Sequence, residues 1–363
     1  MKYIRRKLLS ILLLLLLLGS VGGAAFIESG RLSLQENVEN SIPGVPMSEE
    51  IQQILGNGGN SVSWQENWIA LDGKAYRYEE ELVNLLFLGI DRHGEIEEQT
   101  EYVTWEMGQA DAIFLLSINP KKETVKIVGI PRNAMVDLEI YDDKGQVREI
   151  IYNQICLQYP YACGGENGMA ETKKDVSEIF YNLPIHGVFA IGLDAITEVN
   201  DKLGGVEVEV LEDLTKFDKK LVKGERVQLM GKSAYLYVQK RDINIKGSTK
   251  TRFARQKQYL TEMMKKAKRL TKENPMLVPA LYQICQPYMA TDISLNEAVY
   301  LAEQAFSCEF DAENGIYLLE GEDAYNEGVT SNGTTNLYND LYISEESVKN
   351  IMRQVFCEEV HIS

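Results

Sequence analysis

The sequence predicts an α/β protein: a three-layer α/β/α sandwich around a mixed central sheet, preceded by an N-terminal transmembrane helix. Three observations predict it. Between residues 82 and 319 short β-rich runs interleave with segments of helical period, the pattern of a sheet covered by helices. Residues 82–90 are apolar almost without a break, as a central strand covered on both faces must be. Residues 8–27 carry no charge and follow Lys2, Arg5, Arg6 and Lys7. A membrane-spanning helix needs about 20 apolar residues, and cations before it hold its start in the cytoplasm. The small residues Val21, Gly22, Gly23, Ala24 and Ala25 also suit a signal peptidase, so anchor and cleaved leader both stand. In either case the remainder lies outside the cytoplasmic membrane.

Taken in order, residues 1–27 form the cytoplasmic cap and anchor. Residues 28–66 are polar and glycine-punctuated and read as a stalk, with one helix over 48–55. The main domain fills 67–363. It opens with a hairpin, 67–71 and 74–78, around Asp72-Gly73, a strong two-residue turn signal. The apolar strand 82–90 ends in Asp91-Arg92-His93. Open α/β sheets place ligands just past such strand ends. Strands over 111–118 and 124–130 flank the turn Asn119-Pro120 and end at Pro131-Arg132. If these three strands are neighbours, Asp91, Asp111 and Arg132 meet at one edge of the sheet.

A second hairpin, 135–141 and 146–152, reads as an outlying flap. Next come a helix over 165–181, a strand over 185–191 and a helix over 193–203 closed by Gly204-Gly205. Val206 to Val210 alternates valine with glutamate, a half-exposed strand. Helices are predicted around 251–270, 276–288 and 295–306, and a last strand over 315–319. The Asn- and Gly-rich 325–340 reads as a loop, and 344–356 as a terminal helix.

Charge is unevenly placed. The chain carries −17, yet between Lys216 and Lys257 thirteen Lys or Arg face three acids. Concentrating cations against their own repulsion suits a multiply charged anion, and the arginine fork fits phosphate oxygens. The stretch 257–272 reads as an ordinary solvated helix face. Nucleic-acid binding is excluded as the main business, because it needs cations over a wide surface. Five cysteines are too few for a disulfide scaffold, although Cys156 and Cys163 are spaced to close a small loop. Three scattered histidines fit neither a zinc site nor a nucleophile motif. Tyr235 and Tyr237 read as core, and His93 as solvent-facing.

Several segments resemble, in order and rough spacing, those of the LytR-CpsA-Psr family of cell-wall glycopolymer ligases. They are Leu85 to Asp91, Ala110 to Ile113, Ser117 to Pro120, Ile130 to Arg132, Leu203 to Val206, Leu229 to Ala234, and Arg252 to Gln256. The match is best over 82–270 and loose over 271–363. The resemblance implies an extracytoplasmic phosphotransferase that moves a polyprenyl-pyrophosphate-linked glycopolymer, teichoic acid or capsule-type, onto peptidoglycan as a phosphodiester. It implies Mg²⁺ held by Asp91 and Asp111. Arg132, Arg241, Arg252 and Gln256 would be catalytic, and Arg92, Lys240 and Arg255 would join them in holding phosphate. The lipid tail would lie in an apolar channel beneath the sheet. Such chemistry rests on positioning and charge neutralisation and needs no histidine nucleophile. The partners implied are the lipid-linked donor, the peptidoglycan acceptor and the cytoplasmic membrane of a Gram-positive bacterium.

The chain departs from the family pattern at three points. Gln239 stands where an arginine usually precedes Lys240-Arg241, Thr249 replaces an aspartate, and Asn133 follows Pro131-Arg132 in place of aspartate. A lost charge-assisted hydrogen bond is worth about 1.5–3 kcal/mol. A non-catalytic binding paralogue and a pyrophosphate hydrolase on the same fold are therefore the alternatives.

Overall fold

The computed structural model describes residues 25–34, 65, 67–96, 107–142, 144–240, 248–311, 313–329 and 335–361. Strands β1 (Trp68–Leu71) and β2 (Lys74–Tyr78) form the expected hairpin. Asp72 and Gly73 both have positive φ, 52° and 75°, the conformation of a type I′ turn. The central sheet is mixed, with β3 (Val83–Ile90), β4 (Ala110–Asn119) and β5 (Thr124–Ile130) as successive antiparallel neighbours at its middle. Strand β8 (Gly187–Gly192) runs parallel to β3, and β11 (Met289–Thr291) closes that edge. At the other edge β12 (Glu309–Phe310) and β13 (Ile316–Leu318) lie in turn along β5.

Alternation along β3 sends Leu86, Leu88 and Ile90 to one face and Leu85 and Phe87 to the other. The first face packs under helix Gly165–Ile179 and the C-terminal helix Glu345–Ile351, through Val176, Phe180, Val348 and Phe356. The second packs under helices Leu277–Cys285 and Leu295–Ser307 and the long helix Ser248–Glu273. Helices thus cover both faces. A smaller core joins β9 (Val206–Glu209) and β10 (Arg226–Leu229) to helices Leu193–Lys202 and Lys232–Gln239, with Tyr235 and Tyr237 buried in it.

The segment after 270 is integral to the domain. It supplies both edges of the sheet, and β16 (Cys357–Val360) extends the first hairpin by pairing with β2. The loop expected over 325–340 is corrected: Gly321–Val329 (β14) and Thr335–Ile343 (β15) form a long antiparallel hairpin. The second expected hairpin is present as β6 (Met135–Tyr141) and β7 (Val147–Gln154). It is not isolated, since Gln154 Nε2 donates to Asp340 Oδ1 at 2.7 Å and Ala134 bridges to Leu341.

The N-terminal expectations fall mostly outside the described residues. Among the described residues no helix is long and apolar enough to cross a membrane. The apolar run's last three residues begin a helix over 25–34. In place of a stalk at 28–34, this helix docks on Leu295–Ser307: Leu34 is buried, and Ser33 Oγ donates to Glu297 Oε1 at 2.6 Å. A Cβ added at Gly30 would lie 2.3 Å from the Asn296 carbonyl oxygen. Gly30→Ala should therefore prise this helix loose, at about 1–3 kcal/mol. Amide hydrogen exchange of residues 25–34 checks it: faster exchange there, with the central sheet unchanged, is the expected result.

Candidate active site

The sheet's register decides where the charged groups go. Because β3 and β5 end where antiparallel β4 begins, Asp91, Asp111 and Arg132 emerge at the same end of the sheet. Arg132 Nε lies 2.9 Å from Asp111 Oδ1. Arg252, in the first turns of Ser248–Glu273, brings Nη1 to 3.6 Å from Asp111 Oδ2. One carboxylate therefore holds two guanidinium groups in place. Arg252 is buried and the side chains of Arg132 and Asp111 nearly so, where charge interactions are stronger than in water.

Asp91 stands in a different setting. Partial desolvation and the negative charge of Asp111 push its carboxyl above the ordinary range. It accepts a hydrogen bond from Gln239 Nε2, at 3.0 Å. Gln239 thus reaches the site and contributes a neutral donor where a cation would pull the carboxyl down. The backbone N–H of Asp91 donates to the Gln109 carbonyl at 2.8 Å, and Gly108, at φ +76°, allows this close approach.

Arg132 has further partners that the sequence did not announce. Its Nη2 donates to Gln109 Oε1 and, at 3.0 Å, to Cys156 Sγ. Burial works against the Arg132 charge, while the Cys156 sulfur and the Asp111 carboxylate favour it, and the net direction is upward. Burial pushes the Cys156 thiol up in turn, which keeps it neutral beside the guanidinium. Cys156 and Cys163 are both free thiols, and the disulfide-closed loop suggested by their spacing is not formed.

Other expected residues fall elsewhere. Arg255 is fully buried and does not reach phosphate. It donates to the carbonyls of Tyr237 and Lys240 at the end of Lys232–Gln239 and pairs with Glu212 at 3.2 Å, so it braces two helices. Gln256 lines the site, yet its Nε2 is spent on the Val238 carbonyl at 3.2 Å. Asn133 is tied by its Nδ2 to the Asn339 carbonyl at 3.0 Å, which makes it a fastener for β15. Arg92 is half-buried and its backbone bridges Ile90 and Leu193. Lys240 lies over the Tyr235 ring at 5.6 Å, near enough for its charge to act on Asp91. His93 is exposed and pairs with Asp194 at 2.8 Å. Arg241 lies outside the described residues, and nothing is described of the Thr249 side chain.

Behind Asp111, Arg132 and Arg252 opens a cavity of about 290 Å³. Ile113, Phe114, Ile130, Phe253 and Leu341 give it apolar lining, with Phe114 and Phe253 stacked at 6.0 Å, and Lys250, Glu320 and Asp323 also border it. A charged mouth over an apolar pocket suits an amphiphile with an anionic head. Among the described residues no group of three or more metal-ligating side chains occurs. Asp91, its carboxyl raised by desolvation and then by the charge of Asp111, and Asp111 itself fit a Mg²⁺ ion that would take its other ligands from water and substrate phosphate.

The family model for LytR_cpsA_psr matches residues 52–344. The chain belongs to the LytR-CpsA-Psr family. It is 24 % identical over 246 residues, 68 % of this chain and 66 % of the relative, to a polyisoprenyl-teichoic acid–peptidoglycan teichoic acid transferase, TagU, of Bacillus anthracis. A Halalkalibacterium halodurans protein of the same name is 28 % identical over 162 residues, 44 % of this chain and 48 % of the relative. These matches thus span half to two thirds of the curated relatives. Among solved structures, TagT bound to LIIa-WTA superposes with a TM-score of 0.54 at 22 % identity, covering 76 % of this chain and 89 % of that one. Bacillus subtilis TagV gives 0.54 at 20 % identity, covering 76 % and 96 %. The mixed-sheet fold of this LytR-CpsA-Psr member is therefore the fold of those structures.

Two outcomes follow for this family member. Arg255→Ala should lower stability by about 3 kcal/mol, since it strands Glu212 and two helix-end carbonyls, and thermal unfolding would register it. Gln239→Arg places a cation beside Asp91 and should lower that carboxyl's pKa. In a ¹³C-detected carboxyl titration its midpoint moves to lower pH, and an unmoved midpoint contradicts the pairing.

Proposed function

We propose that this protein is a membrane-tethered, extracytoplasmic phosphotransferase that moves a polyprenyl-diphosphate-linked glycopolymer of the teichoic-acid kind onto peptidoglycan. The observation that carries the reading is the doubly paired Asp111, with Arg132 and Arg252 at the mouth of an apolar-walled cavity. The names of the relatives point the same way. The uncharged run at 8–27 is the tether, and it places the site beside a lipid-borne donor.

The chemistry asked of these residues is charge placement. A Mg²⁺ ion held by Asp91 and Asp111 would supply neutralisation of the diphosphate. Arg132 and Arg252 grip non-bridging oxygens, with Asp111 aiming both forks. The cavity wall takes the first part of the lipid and keeps water from the bond that breaks. A hydroxyl of the peptidoglycan glycan attacks the sugar-linked phosphorus. That oxygen–phosphorus bond forms as the bond to the bridging oxygen breaks, and polyprenyl phosphate leaves with the electron pair. The hydroxyl proton passes to solvent.

Gln239 favours a second reading, a member that binds the lipid-linked polymer without transferring it, because it leaves Asp91 with a neutral donor. Full-length protein, lipid-linked donor, Mg²⁺ and peptidoglycan oligomers, followed by mass spectrometry of the products, separate the two. Transfer is expected, with Arg132→Ala and Asp111→Asn each lowering its rate by about 100-fold or more. Lys265→Ala, on the exposed face of the long helix, should leave it unchanged. Equal rates in wild type, Arg132→Ala and Asp111→Asn contradict the site. Release of polyprenyl phosphate without acceptor marks a hydrolase.

A further inference from the structure

Strand β15 carries a second feature on the face turned away from the cavity. Pairing in the β14–β15 hairpin puts Asp323, Tyr325, Asn339 and Leu341 on one face, and these line the cavity. The opposite face presents Tyr338, Asp340 and Tyr342, across from Asn326, Ala324 and Glu322. Tyr338 and Tyr342 are each 42 % exposed, and strand geometry separates them by about 13 Å. Small Ala324 stands opposite Asp340 between the two rings. The neighbouring hairpin continues the row: Tyr152 of β7 is 55 % exposed, with its ring centroid 6.3 Å from that of Tyr342.

The polar groups between the rings are fixed. Asp340 accepts from Gln154 Nε2 at 2.7 Å and from Asn326 Nδ2 at 2.8 Å, so its carboxylate is held in place between the tyrosines. Exposed aromatic faces spaced along a strand, with oriented carboxylate and amide groups between them, suit a sugar chain: C–H faces of the rings lie on the tyrosines and hydroxyls meet the polar groups. Exposed apolar surface in such a row is uncommon on a protein without a partner for it.

We propose that Tyr152, Tyr338 and Tyr342, with Asp340 between them, form a subsite for the glycan strand of peptidoglycan, the acceptor in the reading above, on which this inference rests. Charge selects the acceptor over the donor polymer. Asp340 and Glu322 lie on the same face as the β15 tyrosines, and Asp137 is opposite Tyr152. A phosphate-rich polymer is repelled by them, whereas an amino-sugar chain without phosphates is not. Arg148 lies four residues from Tyr152 along β7, towards the hairpin tip. Because Asn339 and Leu341 of β15 line the cavity with the other face of the strand, a glycan held here lies close to the reacting centre.

Full-length protein is titrated with solubilised peptidoglycan glycan oligomers and, separately, with a phosphate-rich teichoic polymer freed of lipid. Wild type is expected to bind the glycan and not the polymer. Tyr338→Ala/Tyr342→Ala should weaken glycan binding at least about tenfold, while Tyr342→Phe keeps it and thermal unfolding certifies the fold of both. Glycan affinity that survives the double substitution overturns the subsite. So does tighter binding of the phosphate polymer, or a dimer that dissociates in the same variant, which would make the row a contact between copies. Asp111→Asn separates this inference from the reading beneath it: it removes transfer and leaves glycan binding intact.

Discussion

One carboxylate organises the reacting end of this molecule. Asp111 stands at the start of β4, in the middle of the sheet, and holds Arg132 with one oxygen and Arg252 with the other. The two arginines come from positions 120 residues apart in the chain, one after a strand and one on a helix. Without Asp111 the buried Arg252 and the half-buried Arg132 would lose the carboxylate they share at the mouth of the cavity. The sheet exists to put that carboxylate there, and the long helix to bring the second arginine over it.

The same pairing explains why more positive charge is needed. Among the described residues, Arg132, Arg252 and Lys240 stand near Asp91 and Asp111, so most of the cationic charge is already spent on the protein's own acids. A diphosphate adds negative charge to a nearly balanced set. Under the proposed function a divalent cation held by the two aspartates would restore the balance; desolvation, with the Asp111 charge beside it, already holds the Asp91 carboxyl above its ordinary range. Gln239 would sharpen that dependence, because it gives Asp91 a neutral donor where an arginine would add a charge.

Much of this was legible from residue order. A nearly unbroken apolar run ending before Asp91, a strand beginning at Asp111 and a third ending before Arg132 need only antiparallel pairing to converge, and the short turn at 120–123 sets the pairing of β4 with β5. Long-range packing hid the rest. The stretch 325–340 is polar and rich in Asn and Gly, which masked the strand-favouring Tyr338, Tyr342 and Ile343 that pair with β14. Arg255 shares a helix with Arg252, and only its fit against the end of Lys232–Gln239 separates a brace from a ligand. Asn133 looked like a lost site charge, but its side chain turns to β15. Gln109 and Cys156 carried no motif at all, and their place beside Arg132 follows from the tertiary fold alone.

The central claim is that Asp111 joins a divalent ion and two arginines around one diphosphate. Calorimetric titration of a short-chain polyprenyl diphosphate into the full-length protein, with and without Mg²⁺, tests it most directly. Mg²⁺ should tighten binding of the diphosphate far more than of the matching monophosphate, and Asp111→Asn should erase that difference. Affinities indifferent to Mg²⁺, or a metal effect that persists in Asp111→Asn, would contradict it.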